Sequence, residues 1–196
     1  MYGQDKSGVG RPPLIDGDRK LVLVPGGGKY TEAALAGRLF YAANIDMVAT
    51  STTLNTTFAG LGLCNPTGSG KIVIVHEFGY AAVLDLVAAS VLALATTTDS
   101  GFADDVAAPI KCTRDGYATS VCFTDEGGTI AAPVIVKVIA QFGAAVATTK
   151  MAPRPQLVDL GGSIILVPGR AVVTDTTTVH KADAAQFSFM WEEVDA

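Results

Sequence analysis

Apolar residues in this chain come in short runs, some alternating with polar ones and some continuous, and Gly, Pro, Thr and Asp cut them at close intervals. That pattern predicts strands rather than long helices. The C-terminal stretch is the clearest case. Phe187, Phe189 and Trp191 share one face at period two, and Gln186, Ser188, Met190 and Glu192 take the other. Residues 163–167 read as an apolar strand stopped by Pro168-Gly169, and residues 171–174 lead into Thr176-Thr177-Thr178. Earlier, residues 61–65 and 71–75 are apolar strands on either side of Asn65-Pro66-Thr67-Gly68-Ser69-Gly70-Lys71. A hairpin turn is expected there: Pro66 fixes its φ, Asn65 is able to bond nearby backbone, and the glycines accept positive φ.

The remaining segments are read in the same way. Residues 20–25 predict a first strand, ended by Pro25-Gly26-Gly27-Gly28. Residues 31–39 are the best helical candidate, with Thr31 as cap and a stop at Gly37. Strands are expected over 38–43 and over the Thr-rich residues 47–58. For 83–95 one long strand or two is preferred, although periodicity alone also admits a buried helix. Residues 102–114, with Asp104-Asp105 and Pro109, read as a surface loop. Residues 117–124 and 129–142 read as a strand pair across Asp125-Glu126-Gly127-Gly128, and Pro153 and Pro155 make 151–156 a connector. With about eight or more strands at this spacing, the expected fold is all-β, an antiparallel sandwich of jelly-roll type. Residues 1–18 hold Gly8, Gly10, Pro12, Pro13 and Gly17 with few large apolar groups, and are expected to form an extended N-terminal arm. Residues 19–196 form a single β-sandwich domain on this reading.

Composition narrows the function. Hydrophobic residues make up 49% of the chain and charged ones only 17%, so the apolar excess implies surface covered by other subunits or partners. No run reaches membrane-spanning length, and the polar start of the chain carries no secretory signal, so synthesis in a cytoplasm is expected. A net charge of −5 leaves no basic stripe for nucleic acid and disfavours anionic membranes. Cys64, Cys112 and Cys122 lack a metal-binding spacing and are expected as buried free thiols, with Cys112 and Cys122 placed to face each other across a hairpin at Asp115-Gly116.

The sequence assembles no complete catalytic constellation. Gly68-Ser69-Gly70-Lys71 resembles the end of a phosphate-binding loop, but that loop needs glycine six residues before the lysine and Ser or Thr after it. Asn65 and Ile72 stand there, so the turn reading holds. His76 and His180 are the only histidines; His76 and Glu77 are expected on opposite faces of a strand, and His180 beside Lys181 and Asp183 reads as a solvated cluster. Asp104-Asp105 and Asp125-Glu126 lack calcium-loop spacing. Glu192-Glu193 suit salt bridges to a neighbouring subunit better than acid catalysis. No catalytic, cofactor-binding or metal-ligating residue is assigned, and no enzyme is expected.

Three of these pieces also carry a resemblance: the Asn65-to-Lys71 turn with its apolar strand, the Leu166-Val167-Pro168-Gly169 strand end before a Thr-rich segment, and the terminal Phe187-Ser188-Phe189-Met190-Trp191-Glu192-Glu193. Over roughly the last two-thirds of its length the chain resembles tailed-bacteriophage virion structural proteins of the capsid cement or decoration kind; residues 2–41 have no counterpart in that pattern. The resemblance implies a β-rich homotrimer on the capsid exterior, with the major capsid protein as partner, clamping neighbouring capsomers. A trimeric fibre or spike is the alternative it leaves open. Such a role gains from multivalency, because several weak contacts to a shell add up to strong attachment.

Overall fold

The computed structural model describes residues 3–4, 10–11, 28–50, 57–82, 90–142, 156–177 and 185–196. The expected strand over 20–25 and the cluster around His180 lie outside them, as do 83–89 and 151–155. Two short strands, β1 (Gly3–Gln4) and β2 (Gly10–Arg11), pair with each other inside the expected arm. A single helical turn and a half follows, α1 (Thr31–Leu35). Thr31 is its first helical residue rather than its cap, and Gly37 at φ 70° ends the turn as expected.

Ten further strands build two five-stranded antiparallel sheets. In chain order they are β3 (Leu39–Ala43), β4 (Thr57–Asn65), β5 (Lys71–Ala82), β6 (Ser90–Thr98), β7 (Lys111–Cys112), β8 (Phe123–Thr129), β9 (Val134–Phe142), β10 (Gln156–Leu166), β11 (Arg170–Thr176) and β12 (Ala185–Asp195). The first sheet runs β10-β5-β12-β3-β7 and the second β8-β4-β11-β6-β9. Setting aside short β7 and edge strand β8, the other eight strands have jelly-roll order. The chain changes sheet between β3 and β4, β4 and β5, β5 and β6, β9 and β10, β10 and β11, and β11 and β12.

This order corrects two of the expected hairpins. The strands either side of Asn65-to-Lys71 are β4 and β5, which belong to different sheets, so the segment is a corner and not a ladder turn. Both strands bury large side chains from opposite walls of one core (Leu61, Leu63, Val73, Val75), and this is what drives them apart. Likewise Asp125 to Gly128 lie within β8, which pairs with β4 and not with β9. Their glycines serve close approach: a Cβ at Gly127 would stand 3.2 Å from the Phe58 carbonyl oxygen, and one at Gly128 2.9 Å from that of Gly101. Residues 117–121 are loop, and the Thr-rich segment enters β4 only at Thr57. Within 83–95 the described part, from Ser90 on, is strand rather than helix.

The main core lies between the sheets and gathers Phe78, Phe187, Phe189 and Trp191 from β5 and β12 with Leu61, Leu63, Leu92, Leu94 and Val172 from the second sheet. Phe78 sits at its aromatic centre, with ring centroids 5.1 Å from Phe189, 6.0 Å from Phe187 and 6.2 Å from Tyr80. A smaller cluster of Phe58, Ala95, Ile130 and Val173, joined by Phe102, covers part of the second sheet's outer face.

Candidate functional site

The residues able to do chemistry fall into four groups; many of their polar atoms are engaged internally, while Asn65 Oδ1 and both His76 ring nitrogens are buried without a hydrogen bond. The first is the sheet-switching corner. Asn65 donates from Nδ2 to the carbonyls of Lys71 and Leu166, both at 2.8 Å, tying the end of β4 to the start of β5 and the end of β10. The neighbouring corners close on it: the Gly169 amide donates to the Asn65 carbonyl at 2.8 Å, and the Asp99 carboxylate accepts the Thr67 amide at 2.9 Å. Bonds from the Thr67 hydroxyl and amide hold the Asp99 carboxyl below its ordinary value. Lys71, the would-be phosphate lysine, pairs instead with Asp195 at 2.6 Å and opens a strand where a phosphate loop would open a helix.

The second group lies on the outer face of the first sheet. β12 steps across β5 with a register shift at Met190/Trp191, so His76 is an extra residue between Val75 and Glu77. The bulge overturns the expected alternation: inward-facing Val75 and Phe78 are separated by two residues, and His76 meets Glu192 of β12. Its Nε2 lies 3.5 Å from the Glu192 carboxylate, whose other oxygen accepts the Arg38 Nε at 2.9 Å. Tyr30 lays its ring against the imidazole, with centroids 4.8 Å apart. Glu193 turns inward and accepts from Trp191 Nε1 at 3.1 Å, from the Val121 amide at 3.2 Å and from the Ser120 hydroxyl. Both glutamates expected to reach a neighbour are thus engaged within their own chain.

The third group is acidic. Where β4 bulges against β8 between Ala59 and Gly62, ladder groups are freed, and polar side chains take them up. Asn44 donates from Nδ2 to the Gly60 carbonyl at 3.2 Å and to Glu126 at 2.5 Å, and its Oδ1 accepts the Phe187 amide at 2.9 Å. Thr174 accepts the Leu61 amide at 3.0 Å. Burial raises the Glu126 carboxyl above its ordinary value, and the nearby acids Asp105, Asp46 and Asp125 add to that. Asp125 accepts the amides of Ala103 and Gly127, and Asp105 that of Ala107. Asp175 on β11 is also raised, chiefly by burial.

The fourth group is the three cysteines, all buried and all free. Cys112 lies on β7 opposite Phe40, and Cys122 just precedes β8, so no hairpin joins them. Burial pushes the Cys64 thiol up to about 12 and raises Cys122 as well, which leaves little thiolate for reaction.

No cluster of three or more metal-ligating side chains occurs among the described residues, and none of their helices is long and apolar enough to cross a membrane. Surface hollows occur among the described residues. One of about 420 Å³ lies over Gly79, Ala81, Leu157 and Ser188, and one of about 490 Å³ lies among Asp104, Asp105, Asp115 and Ser120. Neither converges a nucleophile on a base. What the sequence reading missed is the use of Asn44 as a cross-sheet clamp, since a lone Asn after a strand carries no signal of a bulge two strands away. No known protein family, curated protein or solved structure matches this chain.

Proposed function

We propose that the chain is a virion structural protein, a cement or decoration protein that binds the outside of a phage head and clamps neighbouring capsomers. The observation that carries this reading is the division of labour between polar and apolar groups. Most charged and amide side chains of the functional candidates are engaged internally, Asn65 Oδ1 and the His76 ring nitrogens being buried without a hydrogen bond, while thirteen large apolar side chains stand exposed among the described residues. A surface of that kind suits docking better than catalysis. The jelly-roll order supports the reading, since capsid domains use it, although lectins and cupins use it too. The sequence resemblance supplies the phage head as the setting, with self and the major capsid protein as partners and a homotrimer as the expected assembly.

The test is co-sedimentation of the purified protein with heads built from the major capsid protein of the same genome. Binding across the whole capsid surface supports cement, binding of a few copies at a vertex or tail supports the fibre reading, and no binding removes both. Deleting residues 1–18 is expected to leave the sandwich folded and to weaken attachment; full occupancy by the truncated protein would rule out the arm as an anchor.

A further inference from the structure

Three of the exposed apolar side chains stand beside the β7 edge of the first sheet. Ile45 (61% exposed) and Met47 (43%) follow β3, and Val106 (88%) lies in the loop that leads to β7. The Ile45 amide donates to the Ala107 carbonyl at 2.8 Å, which sets the two loops side by side. Both loops are held from within: the Asp105 carboxylate accepts the Ala107 amide and the Asp105 amide donates to the Thr124 carbonyl, each at 2.9 Å, while Asn44 is bonded to Glu126 of β8. Acids surround the three side chains. Residues 44–47 and 104–126 carry six carboxylates against Lys111 and Arg114, a formal −4 of the chain's −5. Asp104, Asp105 and Asp115 border the hollow of about 490 Å³ together with Val106 and Ile110. Beside burial, which acts most, Asp105, Asp46 and Asp125 raise the Glu126 carboxyl, so they lie within electrostatic reach of it. We propose that this acidic, apolar surface docks a cationic segment of a partner protein, one with aliphatic side chains next to its lysines or arginines.

Charge complementarity chooses that occupant. Asp46, Asp104 and Asp115 are exposed and enter none of the ion pairs among the described residues, which join Lys29 to Asp159, Arg38 and His76 to Glu192, and Lys71 to Asp195. Of the two nearby bases, Arg114 is already engaged, donating to the Leu35 carbonyl at 2.8 Å and lying over the Tyr117 ring. A second copy meeting this surface with its own would add the same excess of acids and be repelled. Nucleic acid and anionic lipid are repelled for the same reason. A small cation alone would leave Ile45, Met47 and Val106 in water, and no cluster of three metal-ligating side chains occurs among the described residues to hold one. A segment that alternates basic and aliphatic side chains covers those three residues and brings its charges to the unpaired acids. The hollow takes one long basic side chain, its methylene stem against Val106 and Ile110 and its head group toward Asp104 and Asp115. Because the loops are already bonded in place, little ordering is needed on this side of the contact. The inference goes beyond the virion reading and stands on this surface alone, so either can fail without the other.

The experiment titrates the full chain against a short labelled peptide of alternating lysine and leucine, read by fluorescence anisotropy, with lysine–serine and glutamate–leucine peptides beside it. Saturable binding of the lysine–leucine peptide is expected, weaker binding of lysine–serine and none of glutamate–leucine. Raising salt from about 0.05 M to about 0.5 M is expected to weaken it. Val106→Ser is expected to lower affinity at least about fivefold by removing an apolar contact. Asp104→Asn combined with Asp115→Asn is expected to lower it about three- to tenfold and to flatten the salt dependence. Val138→Ser, 64% exposed on β9 at the far edge of the second sheet, is expected to change nothing. Circular dichroism and thermal melting confirm that each variant is folded. No binding, binding that survives both the Val106 and the acid variants, or equal binding of the glutamate–leucine peptide overturns the proposal. So does sedimentation equilibrium in which those same variants lower the mass of the chain's own assembly, because a second copy would then be the occupant.

Discussion

At the scale of single residues, the side chains that matter most are amides and carboxyls set where ladders break. Asn44 satisfies a carbonyl and an amide on two different sheets. Asn44→Ala strands these groups and is expected to cost about 2–4 kcal/mol, read as a lower urea midpoint at unchanged slope. Asp175 gives a pH signature. Its folded value is raised by burial, so the folded state binds more protons than the unfolded state between the ordinary and the raised value. Stability therefore falls as pH rises through that window. Asp175→Asn removes the charge and is expected to raise the melting temperature at pH 7, with the difference from the unaltered chain closing below about pH 4, where the acid is protonated in both states. A difference that persists in acid would mean the effect is one of packing and not of charge. Asn65 was legible in the sequence as a turn residue, but its bond to Leu166, 101 positions away, was not. Local patterns do not encode which distant carbonyl arrives at a corner.

At the scale of elements, β12 was fully legible because its alternation is strict. Phe187, Phe189 and Trp191 are buried as that pattern requires, and Met190 and Glu192 are not. Phe189→Ala is expected to cost about 3–5 kcal/mol by opening a cavity beside Phe78, whereas Met190→Ala on the other face costs about 1 kcal/mol or less. Equal losses at the two positions, measured by chemical denaturation, would mean that the strand does not present its alternate residues to opposite faces. Strand pairing was less legible. Two apolar runs around a Pro/Gly turn satisfy a hairpin and a sandwich corner equally well, and only the burial of both strands from opposite walls decides between them. His76 shows the same limit on a smaller scale: one extra residue in β5 breaks the period-two rule, and no residue type in Val75-His76-Glu77-Phe78 announces the bulge.

At the scale of the molecule, the question is whether the two sheets open together, and the three thiols report on it. Cys112 on β7 in the first sheet and Cys122 on the segment leading into β8 belong to the main core cluster, and Cys64 on β4 in the second sheet is fully buried. A sandwich whose walls share one core loses both faces at once when either is exposed, because each wall's apolar side chains have only the other wall to pack against. Burial also keeps the Cys64 and Cys122 thiols protonated in the folded state, and Cys112 is buried too, so reaction with an alkylating reagent needs opening to water. Labelling at low denaturant, read by peptide mass, is therefore expected to give the same opening free energy at all three positions, equal to that of global unfolding. If Cys112 labels through an opening several kcal/mol cheaper than Cys64, then the β7 edge comes away by itself and the sandwich is not a single cooperative unit.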